Sequence, residues 1–182
     1  MNQKLNIAIS SYRSAPFGGG QGIFVYELSK ALQALGHKVD IISGPPYPSL
    51  EPEISLIKSP GLDLFSTFVF KERLSLFMNK KDKSLDDWYE FFSAFFGGFP
   101  EIKTFGNRLR DLLDKSPYDI VIDNQSISYG ILQVQKNIPV IEIVHHPITK
   151  DYEYDLQFSK GMIQNLSKRR WFSFLKMQKK VA

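Results

Sequence analysis

The chain has 182 residues, of which 43% are hydrophobic and 23% charged, with a net charge of +4 and no cysteine. That length supports one domain that buries about 70% of its unfolded surface, and the missing cysteines exclude disulfides and thiolate metal sites and fit a reducing compartment. No apolar run approaches the roughly 20 residues of a membrane span and the start lacks a secretory leader, so the default expectation is a cytoplasmic protein, with a charge excess too mild to imply nucleic acid.

Residues 5–10, "LNIAIS", read as a buried strand, followed by "SAPFGGGQGIF", in which four glycines fall within five positions. From Phe24 the apolar residues Phe24, Leu28, Ala31, Leu32 and Leu35 recur at spacings of three and four, a helical stripe, and Gly36 stops it. "KVDIIS" (38–43) is a second strand, "GPPYP" (44–48) a rigid loop and "ISLIKS" (54–59) a third strand. Residues 62–100 mix aromatic clusters with the polar stretch "NKKDKSLDDW" and read as short helices and loops. A helix over 101–115 carries Ile102, Phe105, Leu109, Leu112 and Leu113 on one face. "YDIVID" (118–123) is a strand, 126–136 a helix and "PVIEIV" (139–144) another strand. The tail from about Leu156 to Ala182 combines aromatic and basic residues as one or two amphipathic helices.

Strands alternating with helical patterns predict an α/β fold, Rossmann-like and doubly wound, with a mainly parallel sheet. Ligands of such sheets sit outside the carboxyl ends of the strands. Three polar loops fall there: the glycine loop, Asp123-Asn124-Gln125, and His145-His146-Pro147. A glycine loop that leads into a helix N-terminus suits an anion, although a tight strand-to-helix turn explains the same residues. No Lys-Ser or Lys-Thr follows the glycines, so the nucleotidase P-loop is absent, and the dinucleotide pattern G-x-G-x-x-G also fails. No G-x-S-x-G elbow supports a serine hydrolase.

His145 and His146, read as the end of a buried strand, point to opposite faces, so only one meets the cleft. With His37 the only other histidine, no metal site is expected. An imidazole at the cleft suits hydrogen bonding to a sugar or phosphate oxygen. Glu142 interrupts an apolar strand, and a carboxylate buried there needs a partner or a raised pKa; a structural bridge is the preferred reading, support of His146 the other.

Taken together, "GGGQGIFVYELSKALQALGHKVDIISGPPYP", "SPGLDLF", "GGFPEIKTFGNRLRDLL", "YDIVIDNQSISYGIL" and "PVIEIVHHPITKD" resemble the N-terminal half of family 4 (group 1) glycosyltransferases, retaining enzymes of the GT-B fold. The resemblance implies sugar transfer from a nucleotide-sugar donor to an acceptor, with no cofactor or metal. It implies a single domain over 1–182 on the acceptor side, with 156–182 helical and leading toward a C-terminal donor-binding domain. That second domain would carry the family's E-x7-E pattern, and this half alone would be inactive or nearly so. By resemblance, Gly19, Gly20, Gln21 and Gly22 approach the donor diphosphate, His145 is catalytic with His146 the fallback, and Asp123, Asn124, Gln125, His146 and Asp151 bind the acceptor, the first three lining its side of the cleft. A binding module without chemistry, or a GT-B-like epimerase or phosphorylase, would share these features. The phenylalanine-rich 65–105 stretch and the basic tail add an expected peripheral contact with anionic membrane.

Overall fold

The computed structural model describes residues 3–16, 20–64, 66–114 and 116–182. Five parallel strands form one sheet: β1 (Asn6–Ser11), β2 (Lys38–Ser43), β3 (Ser55–Lys58), β4 (Ile120–Asn124) and β5 (Val140–Ile143), in the order β3-β2-β1-β4-β5. The helices are α1 (Gly20–Ala34), α2 (Phe70–Asn79), α3 (Leu85–Phe95), α4 (Glu101–Leu113), α5 (Tyr129–Val134), α6 (Ile148–Gln157), α7 (Met162–Trp171) and α8 (Leu175–Val181), with a 3-10 turn over Phe172–Phe174.

Both sheet faces are covered, which is why the central strands read as continuous apolar runs rather than alternating ones. Ile7, Ile9, Ile41 and Ile122 point to the face capped by α1, where they meet Val25, Leu28 and Leu32. Ala8, Ile42 and Val121 point the other way, toward Phe105 and Leu109 of α4, Ile131 and Val134 of α5, and Met177 of α8. Each such aliphatic side chain taken from water contributes about 1.5–3 kcal/mol. Because β2 and β3 lie on one side of β1 and β4 and β5 on the other, the winding reverses between β1 and β4. That reversal opens a crevice at the strands' carboxyl ends.

The strand and helix expectations hold, with differences at α1, α5 and α6 and, as described with the site, at β5. Helix α1 begins at Gly20 rather than near Phe24, so the last glycines lie inside its first turn. Helix α5 is shorter than 126–136, because Ser126 and Ile127 belong to a turn braced by Asp123. An unexpected helix, α6, fills 148–157 ahead of the tail.

Residues 62–100 contain the packed pair α2 and α3, whose Phe77 and Phe91 rings stack 4.4 Å apart. Ser84 and Asp87 start α3 as a reciprocal capping box. Glu90 of α3 is buried and accepts from Thr104 Oγ1, the Arg108 guanidinium and the Leu62 amide. Asp87, equally buried, takes Lys80 at 2.6 Å. These two carboxylates fasten the aromatic lobe to α4, and each has the partners a buried charge requires.

Helices α4 and α5 cross with almost no side chain between them. A Cβ on Gly130 would stand 1.8 Å from the Gly106 carbonyl oxygen. Gly130→Ala is therefore expected to destabilise the domain by about 1–3 kcal/mol through overpacking, read as a lower denaturant midpoint. A midpoint equal to wild type would mean that the crossing separates freely.

Candidate functional site

At the crevice, an opening of about 810 Å³ is lined by Tyr12 and Arg13 after β1, by Gly20, Gln21 and Phe24 of α1, and by His145, His146 and Asp151 from the β5–α6 segment. Its other wall is apolar: Pro46, Phe99, Ile102, Trp171, Phe172 and Phe174.

The floor is built from hydroxyls and carboxyls at the ends of β1 and β4. Asp123 accepts from Ser10 Oγ at 2.6 Å, from Ser126 Oγ at 2.8 Å, and from the backbone amides of Ser126 and Ile127 at 2.9 and 3.0 Å. Those bonds hold a turn in which Gln125 has φ 60° and Ile127 φ 43°, a conformation that a β-branched residue adopts only under constraint. Asp123, Asn124 and Gln125 are all buried. The expectation that these three bind the acceptor is corrected: none of them lines the opening, and each directs its polar atoms at the protein.

Gln125 clasps the neighbouring loop. Its Oε1 accepts from the His145 amide and its Nε2 donates to the His146 carbonyl, both at 3.0 Å. Asn124 Oδ1 meets His145 Nε2 at 2.5 Å, and its Nδ2 donates to Ser11 Oγ at 3.0 Å. The His145 ring stands edge-on to Phe24 with centroids 4.9 Å apart. Burial, and then the neighbouring His146, hold its pKa below the usual imidazole value. His146 Nε2 lies 3.3 Å from Asp151 Oδ2 on the first turn of α6, both side chains exposed.

The expectation that only one histidine faces the cleft is corrected. Strand β5 ends at Ile143, so the alternation of side chains stops two residues early and both rings line the opening. β5 is also an edge strand, with Ile141 exposed, rather than the buried strand expected.

Gly20 begins α1 with open space where a Cβ would be, and Gln21 reaches the Tyr12 hydroxyl. Gly22 serves packing instead. A Cβ there would fall 2.2 Å from the Ala15 carbonyl oxygen, so its absence lets α1 press against the chain leaving β1. Gly19 lies outside the described residues. Among the described residues no three His, Cys, Asp or Glu side chains gather as a metal would need.

Sequence reasoning overlooked Tyr12, Arg13 and the apolar wall. The Arg13 guanidinium lies 5.2 Å from the Tyr12 ring centre and 5.5 Å from that of Phe99, cation–π contacts. No local pattern marks these residues; they come from β1, α4 and the tail and meet only in the fold. Ser10 and Ser126 share Asp123 as their acceptor.

The chain matches the family profile described as Glycosyltransferase Family 4 over residues 18–180. It is 39% identical over 182 residues to the MMP alpha-(1->4)-mannosyltransferase of Mycolicibacterium hassiacum. That alignment takes in 98% of this chain and 43% of the relative, so the chain spans less than half the length of the protein it matches. The chain belongs to glycosyltransferase family 4, and its sheet and crevice are those of a GT-B N-terminal half.

Glu142 pairs in register with Asp123. Burial first, and then the adjacent Asp123 carboxylate, push its pKa from 4.5 up to about 10. A carboxyl whose folded pKa is raised contributes stability that is full below the unfolded pKa and is lost as pH rises toward the folded one. Glu142→Gln, which keeps the shape and removes the proton, is expected to match wild type near pH 4.5. At pH 8 it should be more stable by about 1 kcal/mol or more, the full linkage value being reduced because the group is partly solvated. Melting temperatures measured across that pH range check this; a difference that does not vary with pH would contradict it.

Proposed function

We propose that this chain is the acceptor-side domain of a retaining glycosyltransferase that moves a hexosyl group from a nucleotide-sugar donor to a hydroxyl of an acceptor. The observation that carries the reading is the meeting of Gly20 and Gln21, at the N-terminus of α1, with His145 at one opening. The α1 terminus offers unpaired N–H groups and a partial positive charge to a diphosphate, and Gly20 lets a ligand approach the backbone. His145 stands across the same opening at the reacting sugar. Asp151, through His146, orders the acceptor side, while Asp123, Asn124 and Gln125 act from beneath. No metal is among the groups proposed to take part.

The charge that develops on the departing diphosphate needs further donors, which we assign to a C-terminal domain such as the longer relative has room for. The relative's mannosyltransferase name and its 39% identity make mannose the first sugar to test. The apolar wall of Phe99, Trp171 and Phe172 suits the C–H face of a sugar ring in the acceptor. In full-length protein supplied with GDP- or UDP-sugars, His145→Ala is expected to lower kcat/KM by about 100-fold. Undiminished transfer by a folded variant would remove His145 from the reaction.

A second reading concerns where the acceptor is met. Phe70 and Met78 of α2 and Leu85, Trp88, Phe92 and Phe95 of α3 are exposed together, and Phe70 and Phe95 touch at 5.4 Å. Lys103, Arg73 and Arg170 lie over aromatic rings along this lobe. Aromatic side chains rimmed by cations suit an anionic bilayer surface. No helix among the described residues is long and apolar enough to cross a membrane, so the contact would be peripheral. Co-sedimentation of full-length protein with phosphatidylglycerol vesicles, lost in Trp88→Ser/Phe92→Ser, is expected; no binding to anionic or neutral vesicles would exclude it.

A further inference from the structure

The hydrogen atoms at the β4–β5 end are determined by a chain of partners that begins at a group able only to accept. Ser11 Oγ lies 2.9 Å from the Arg13 carbonyl oxygen and must donate to it, which uses its one hydrogen. Ser11 Oγ can then only accept, and it does so from Ser14 Oγ at 2.7 Å and from Asn124 Nδ2 at 3.0 Å. The amide of Asn124 is thereby oriented with Nδ2 toward Ser11 and Oδ1 toward His145. Oδ1 has no hydrogen, so the 2.5 Å contact requires a proton on His145 Nε2.

From this relay we infer that Asn124 is a positioning residue that holds His145 as its Nε2–H tautomer, leaving Nδ1 as a lone-pair acceptor for a ligand hydroxyl. The inference rests on the transferase reading only for the identity of that ligand, a sugar whose hydroxyl donates to the ring. No described residue bonds Nδ1, and the ring packs against Phe24 at a near-perpendicular angle. A phosphate at neutral pH presents acceptors, so a neutral imidazole offering Nδ1 selects a hydroxyl over a phosphate. The lowered pKa of His145 agrees with a neutral ring.

Two further details fit a clamp rather than an incidental bond. Asn124 is wholly buried while the imidazole is exposed to the opening, so orientation passes outward from a rigid floor. Gln125 at the same time fixes the backbone on both sides of the peptide between His145 and His146. Ring and main chain are therefore held by adjacent residues of one strained turn. The titratable groups around the ring are His146 and Asp151 on its own segment, Asp123 and Glu142 on the neighbouring strands, and Tyr12 and Arg13 across the opening.

The test is carried out on full-length protein with isotope-labelled histidine, the His145 signals being assigned by their loss in His145→Gln. Proton–nitrogen correlation spectra are expected to show a protonated Nε2 and a lone-pair Nδ1 at neutral pH. Asn124→Ala should mix the tautomers and lower kcat by roughly 10- to 100-fold with little change in KM. Asn124→Asp keeps an acceptor in place but adds a negative charge, so it should retain the tautomer, raise the His145 pKa and move the acid limb of the rate profile to higher pH. A wild-type ring protonated on Nδ1 overturns the inference. So does a folded Asn124→Ala with unmoved tautomer and undiminished kcat. Should that variant fail to fold, the wild-type spectrum and Asn124→Asp decide. A protein that transfers no sugar would overturn the transferase reading instead, and the tautomer would still be read from the same spectra.

Discussion

The geometry at the crevice depends on one buried carboxylate. Asp123, the penultimate residue of β4, gathers two serine hydroxyls and two backbone amides, which holds Gln125 and Ile127 at positive φ. Conformations of that kind cost about 1–3 kcal/mol each and persist only when the surroundings overdetermine them. The strain has a use: it turns the chain sharply enough for Asn124 and Gln125, adjacent in sequence, to grip different parts of the same neighbouring loop. Through that turn the β5–α6 segment is tied to the floor.

A second carboxyl, Glu142, pushes against the first. It is kept protonated by burial and by Asp123 itself, and one of its oxygens has no hydrogen-bond partner among the described residues. The pair concentrates polar groups in the layer just under the opening, in contrast to the adjacent row of Leu56, Ile41, Ile9, Ile122 and Ile141. On the far side, Glu90 and Asp87 use the same chemistry to a different end. Paired with Arg108, Lys80 and Thr104, they anchor an aromatic lobe whose own core is small, built on Leu62, Leu64, Phe77 and Ala94.

The opening itself joins two environments. One wall carries the helix N-terminus, Gln21 and the histidines, and the other carries Phe99 and the aromatic residues of the α7–α8 junction. The sugar ring proposed as its ligand has both a hydroxylated edge and an apolar C–H face, and a cleft of this mixed character would meet both. Family 4 membership accords with such a cleft, and the clamp on His145 adds a preference for one kind of polar partner.

Most of the architecture was legible in the chain, because it follows from local periodicity. The apolar runs at 5–10, 38–43 and 118–123 and the helical stripe through Leu28 and Leu32 are each local signals, and the alternation of strand with helix implies the parallel sheet. The rule that ligands meet the carboxyl ends of strands then pointed to the glycine and His145 loops, which line the opening, and to the Asp123 loop, which lies beneath it. What periodicity could not supply was where a strand stops and what lies across from it. The fate of His146 turned on β5 ending at Ile143, and that of Gly22 on the distance to the Ala15 carbonyl. The burial of Asp123, Asn124 and Gln125, the tautomer of His145 and the aromatic wall all arise from contacts between residues far apart in the chain. Such contacts depend on how closed turns bring distant backbone together, and no pattern within a short window encodes them.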